Sequence, residues 1–267
     1  MFGSFELSDF IAYRVSVCDY KCRLELQRGA IVDEPDYVSC LSKTIRDDVK
    51  HIKMKVHAQT LSGGQEQNNG ADGIIIFQIK NEIKVGIYEA KWPRFKQTDY
   101  PWDYLHPTRL TSHFSEQINK KHIWQDTIAT WEMFFNEEEY GKDSPPYEFF
   151  GSSCVWNNDA YNFMNSKGLI LNKWSTSKLK ELLKENGTNI YSIIFDLLSC
   201  KRGKKHSISA GEKNVVISSP VNDNIILDVP LPIDLEKEFD ERIQAFMERE
   251  RFTSYLYIVA QNIQLGS

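Results

Sequence analysis

GADGIIIFQIKNEIKVGIYEAKW, residues 70–92, decides how the chain is read. Two apolar runs flank a polar stretch, which predicts a β-hairpin turning on Asn81 or on Asn81-Glu82. Side chains alternate faces along a strand, so Ile83, Val85, Ile87, Glu89 and Lys91 share one face. Closing the hairpin sets Asp72 opposite Ala90 or Lys91, and a one-residue shift leaves it beside Glu89 and Lys91. Two carboxylates converging at one strand end repel unless a cation lies between them. Oxygen donors suit a hard ion such as Mg²⁺ or Mn²⁺. Such an ion polarises a phosphate and lowers the pKa of a bound water. A lysine beside it neutralises charge developing on phosphoryl oxygens, or orients or deprotonates the water. The set suits phosphodiester hydrolysis. The competing reading is an exposed salt bridge at a sheet end. Acid-x-Lys triplets also stand at Asp19-Tyr20-Lys21, Asp48-Val49-Lys50 and Glu82-Ile83-Lys84, but only Glu89-Ala90-Lys91 ends a β run with an acid facing it.

Outward from the hairpin, helices and strands mix. Val38, Leu41, Ile45 and Val49 recur at helical spacing behind Pro35, predicting a helix over 36–49. KMKVHAQT (53–60) alternates like a strand, and LSGGQEQNNG (61–70) reads as a loop. Leu110, Phe114, Ile118, Trp124, Ile128 and Trp131 mark the apolar side of a long helix over 108–135. EEEYGKDSPPYE (137–148) is the clearest exposed loop, and GSSCVWN (151–157) a further strand. One or two helices follow within 175–200, then a strand pair at VVISS (215–219) and IILDV (225–229). A charged amphipathic helix over 234–250 and a last strand at SYLYIVAQ (254–261) complete the pattern. Residues 1–33 are hard to read, and FIAYRVSVCDYKCRLELQ (10–27) fits either strand or helix. The mixture argues for an α/β or α+β class.

Asp72 followed by Glu89-Ala90-Lys91 at the end of the next strand resembles the PD-(D/E)xK nuclease superfamily, which includes restriction endonucleases, repair nucleases and phage-defence effectors. The resemblance implies a restriction endonuclease-like core, a central mixed sheet flanked by helices with the site at one edge. It covers roughly residues 34–157, leaving 1–33 as an N-terminal segment and 158–267 as a C-terminal elaboration packed on the same domain. No proline precedes Asp72, where the sequence reads Gly70-Ala71. By the same resemblance Asp72 and Glu89 bind Mg²⁺ or Mn²⁺ and Lys91 assists the water. Relatives often carry an acid on the first helix; Glu34 and Asp36 are the candidates, with Asp36 preferred, although helix-start charge explains both equally. Glu66 is a further candidate ligand. Gln117, on the helix after the motif, matches a glutamine found in some relatives.

The net charge of −5 neither points to nucleic acid nor excludes a local basic patch. Two patches qualify: Lys201, Arg202, Lys204 and Lys205 in KRGKKH (201–206), and Arg94, Lys96, Lys120 and Lys121 nearer the motif. Trp92 and Trp102 are placed to stack bases or to pack the core. The histidines form no zinc-ligand spacing, and neither a phosphate-binding glycine loop nor a G-x-S-x-G elbow occurs. Five cysteines without paired C-x-x-C spacing read as thiols in a reducing cytoplasm. No apolar run approaches the ~20 residues of a membrane span. The sequence thus points to a cytoplasmic Mg²⁺-dependent endonuclease acting on DNA, with a homodimer as one possible assembly. The alternatives are an RNA nuclease, or a non-catalytic nucleic-acid-binding or interaction module on the same scaffold.

Overall fold

The computed structural model describes residues 2–52, 54–61, 70–93, 102–135, 151–235, 237 and 239–260. Helices are α1 (Phe5–Gln27), α2 (Glu34–His51), α3 (His113–His122), α4 (Asn157–Ser166), α5 (Thr176–Asn186), α6 (Ile190–Leu198) and α7 (Glu241–Glu250). Strands are β1 (Lys55–Thr60), β2 (Gly73–Ile79), β3 (Glu82–Lys91), β4 (Ala129–Phe134), β5 (Ser153–Trp156), β6 (Thr188–Asn189), β7 (His206–Ser207), β8 (Asn214–Ser218), β9 (Ile226–Pro230) and β10 (Ser254–Val259). Among the described residues one large sheet runs in the order β1-β10-β2-β3-β4-β5-β6, with β7 paired to the start of β3. It is mixed: β10 lies parallel to β2 and β3 parallel to β4, while the other neighbours are antiparallel. The class is therefore mixed α/β, with a central mixed sheet flanked by helices.

Alternation along the strands divides the core. Ile75, Phe77, Tyr88, Trp131, Leu256 and Ile258 face α1, α2 and α6. Ile74, Ile76, Ile83, Val85, Ile87, Tyr255 and Tyr257 face α7 and the separate β8–β9 hairpin. Phe134 and Val155 pack beneath α3, α4 and α5. Because the central strands are covered on both sides, they read as nearly continuous apolar runs.

Several sequence expectations change. The long helix predicted over 108–135 is only α3; a turn follows, with Asp126 in the left-handed region at φ 70°, and then strand β4. Every residue of β4 is buried, so its polar-apolar alternation is missing and its apolar spacing imitates a helix. The helix expected over 234–250 begins at Glu241, where the Asp240 carboxylate caps the Arg242 amide at 2.9 Å. Residues Phe5–Gln27 form a helix. Its buried face includes Ser8, Ser16, Asp19 and Arg23, which interrupt the apolar stripe. The hairpin turns on Lys80-Asn81, one residue earlier than expected, with Lys80 at φ 56°. Continuing the observed register brings Asp72 level with Glu89. The loop expected at 137–148 lies outside the described residues.

Gly70 admits the chain to β2. It sits at φ +64°, and a Cβ there would stand 2.8 Å from the Cα and O of Gln117 on α3. Gly70→Ala should therefore destabilise the protein by about 2–4 kcal/mol, through φ strain and the forced separation of α3. Urea unfolding measures this, and a variant as stable as the parent chain would contradict the close approach.

Candidate active site

Asp72 is anchored by its own backbone. Its N–H donates to Tyr88 O at 2.8 Å, and its C=O accepts the Thr253 and Ser254 amides at 2.8 and 3.1 Å. β3 and β10 thus grip this peptide from both sides. The carboxylate turns to β3, where Oδ2 accepts the Ala90 N–H at 2.7 Å. Burial, set against the nearby Lys91 ammonium, pushes the Asp72 carboxyl up to about 6.

Glu89 and Lys91 leave the same face of β3, two residues apart. Glu89 is fully buried; its Oε1 accepts from Lys91 Nζ at 2.5 Å and from Gln117 Nε2 at 2.6 Å. Its Oε2 is equally buried and has no hydrogen-bond partner among the described residues. Burial, and then the Asp72 charge, push this carboxyl up to about 8. Burial opposes the charge on Lys91, but Glu34, Glu89 and Asp72 outweigh it and hold the ammonium well above its ordinary range.

Of the two helix-start acids, Glu34 reaches the site. Its Oε2 lies 3.5 Å from Lys91 Nζ, and its Oε1 accepts the Trp92 N–H at 2.9 Å. The Asp36 side chain turns back instead, with Oδ2 accepting the Val32 N–H at 3.3 Å. Gln117 arrives from α3. Lys121, one helical turn further on, is completely buried, donating to Gly70 O at 2.5 Å and lying 3.1 Å from Glu132 Oε2. Glu132 is the residue that sequence reasoning missed: it is the register partner of Glu89 on the neighbouring strand. Reading 129–134 as a strand would have revealed it. Near Lys91, His113 is held down to about 4 by burial and by that ammonium, so its ring is neutral at pH 7.

The remaining candidates fall elsewhere. Glu66, Arg94 and Lys96 lie outside the described residues. Lys120 is exposed on α3. Lys201, Lys204 and Lys205 are also exposed, and Lys201 and Lys205 lie within 2.8 Å of Asp196 and Glu82. Arg202 is 3.8 Å from Asp159 and packs over Trp156 with its guanidinium carbon 5.2 Å from the ring centre. This patch flanks the start of β3, on the order of 20 Å along the strand from Glu89. Trp92 and Trp102 are buried against Phe135 and Phe114, at centroid distances of 5.9 and 5.2 Å, so both serve the core.

The donor set fits a divalent cation of one kind. Among the described residues no three His, Cys, Asp or Glu side chains are grouped to hold a metal ion. Asp72 and Glu89 offer two carboxylates, the latter with one oxygen buried and without a hydrogen-bond partner among the described residues. Mg²⁺ binds in this way, through one or two carboxylates with water and substrate phosphates completing its octahedron. No family model, curated protein or solved structure matches the chain. Among the described residues no helix is long and apolar enough to cross a membrane.

The raised carboxyl of Glu89 makes stability depend on pH. The folded state holds this proton more tightly than the unfolded chain, whose carboxyl titrates near 4.5. The contribution is complete below about 4.5 and is lost as pH rises through about 8. In chelator, the melting temperature of the parent chain should fall between pH 5 and pH 8. Glu89→Gln should flatten that fall and leave the variant the more stable form at pH 8. Parallel melting curves for the two proteins would remove this account of Glu89.

Proposed function

We propose that this chain is a metal-dependent nuclease of the PD-(D/E)xK type, with a restriction endonuclease-like core and DNA as its substrate. The observation that carries the reading is the divided environment of Glu89. Lys91 and Gln117 hold one oxygen, while the other is buried and has no hydrogen-bond partner among the described residues. A buried carboxylate oxygen without a partner is costly unless a cation completes it.

Asp72 and Glu89 would hold Mg²⁺ or Mn²⁺, which when bound polarises the phosphate and acidifies water. Gln117 fixes the orientation of Glu89, and the Ala90 amide fixes that of Asp72. Lys91, beside Glu89 and Glu34, would neutralise charge developing on the phosphate or orient the attacking water. Glu34, 3.5 Å away, is a second carboxylate holding the ammonium in place.

Incubation with duplex DNA, single-stranded DNA and RNA in Mg²⁺, Mn²⁺ or chelator tests the reading. Cutting should require metal and favour DNA. Lys91→Ala should slow it by roughly 10²–10³-fold, the loss expected when a charge-stabilising donor is removed. Glu34→Gln, which loosens Lys91 without removing it, should cost roughly tenfold. Preference for RNA would reassign the substrate. Metal-independent behaviour and no cutting of any nucleic acid would favour a binding module instead.

A further inference from the structure

Asp72, Glu89 and Glu132 stand at one level on three adjacent strands. Glu89 and Glu132 are register partners on the parallel pair β3 and β4, and the hairpin register brings Asp72 level with Glu89 from β2. Neighbouring strands are about 4.8 Å apart, so three carboxylates fall within roughly 10 Å beneath α3. They are not treated alike. Glu132 Oε1 accepts from Asn157 Nδ2 at 2.8 Å, and that amide also donates to Ile118 O at 3.1 Å. Glu132 Oε2 faces the Lys121 ammonium at 3.1 Å, without the alignment of a hydrogen bond.

Helix α3 therefore sends one residue to each of two acids. Gln117 and Lys121 are four apart and lie on one helix face. The first donates to Glu89 and the second pairs with Glu132. Lys121 and Glu132 are both completely buried. Such a pair is a poor way to gain stability, because well-packed apolar residues of similar volume often do as well. Its position beside Glu89 supplies a different reason.

We propose that Lys121, with Asn157, withdraws Glu132 from the cation site, so that the site presents two carboxylates instead of three; this rests on the nuclease reading above. Lys121 is then a positioning residue with an electrostatic role. A two-carboxylate site leaves coordination positions for water and for the substrate phosphate. A third acid would occupy one of those positions and bind the ion more tightly in the absence of substrate.

Calorimetric titration of Mn²⁺ into the full chain without nucleic acid tests this, with circular dichroism as the control for folding. Lys121→Met removes the counter-charge and should tighten Mn²⁺ binding by roughly tenfold or more. Glu132→Gln leaves Lys121 without its acid and should weaken binding by a similar factor. Combining Lys121→Met with Glu132→Gln should return affinity to within about threefold of the parent chain. Opposite signs support the proposal, because a packing role would move both single variants the same way. Shifts of the same sign, or none, overturn it while the parent chain's Mn²⁺ binding still supports the nuclease reading. Absence of Mn²⁺ binding by the parent chain overturns both. Should one single variant fail to fold, the sign of the other decides: tighter binding by Lys121→Met, or weaker binding by Glu132→Gln, supports the proposal, and no shift or the opposite sign overturns it.

Discussion

Removal of charge from water at one end of the sheet is the constraint around which this molecule is arranged. Asp72, Glu89, Glu132, Lys91 and Lys121 are all buried there, and Glu34 closes the group from a half-buried position. A buried charge is tolerated only when partners surround it. Each neighbouring element supplies at least one: β3 gives the Ala90 amide, α3 gives Gln117 and Lys121, α2 gives Glu34, and α4 gives Asn157. The same donors that satisfy these groups also fix their directions. Compensation and orientation are here one set of contacts.

The arrangement has a polarity along β3. At its start the surroundings are basic and exposed, with Lys204 and Lys205 beside the short β7 strand. At its end they are acidic and dry. The two environments lie on the order of 20 Å apart along the strand, more than two Debye lengths, so exposed charges at one end are largely screened from the other at physiological salt. The basic stretch is thus a distant surface rather than a wall of the acidic site, and its ion pairs with Asp196 and Glu82 offset part of its charge.

The central hairpin was legible because both of its faces are apolar until the acids begin, and because Asp72, Glu89 and Lys91 remain neighbours under a one-residue shift of register. Helix α2 was legible from Val38, Leu41, Ile45 and Val49, all of which are buried. Helix α1 was not, because Asp19 and Arg23 occupy its inner face and obscure the stripe. Strand β4 was not, because burial on both sides removes the period-two pattern; Glu132 was lost with it. The choice between Glu34 and Asp36 turns on which carboxylate leaves the helix start. The Val32 amide decides that by donating its N–H to the Asp36 carboxylate, a contact that spacing alone cannot reveal.

Strand β10 lies between β1 and β2 although it follows both far along the chain, and Thr253 and Ser254 at its N-terminal end hold the carbonyl of Asp72 from a sequence distance of about 180 positions. This sets an order in time. While the chain is being made, α2, the hairpin and α3 emerge well before residue 253, and through that interval the Asp72 peptide lacks its clamp and β2 has an open edge. The acidic pocket is therefore completed only once β10 has emerged and entered the gap between β1 and β2.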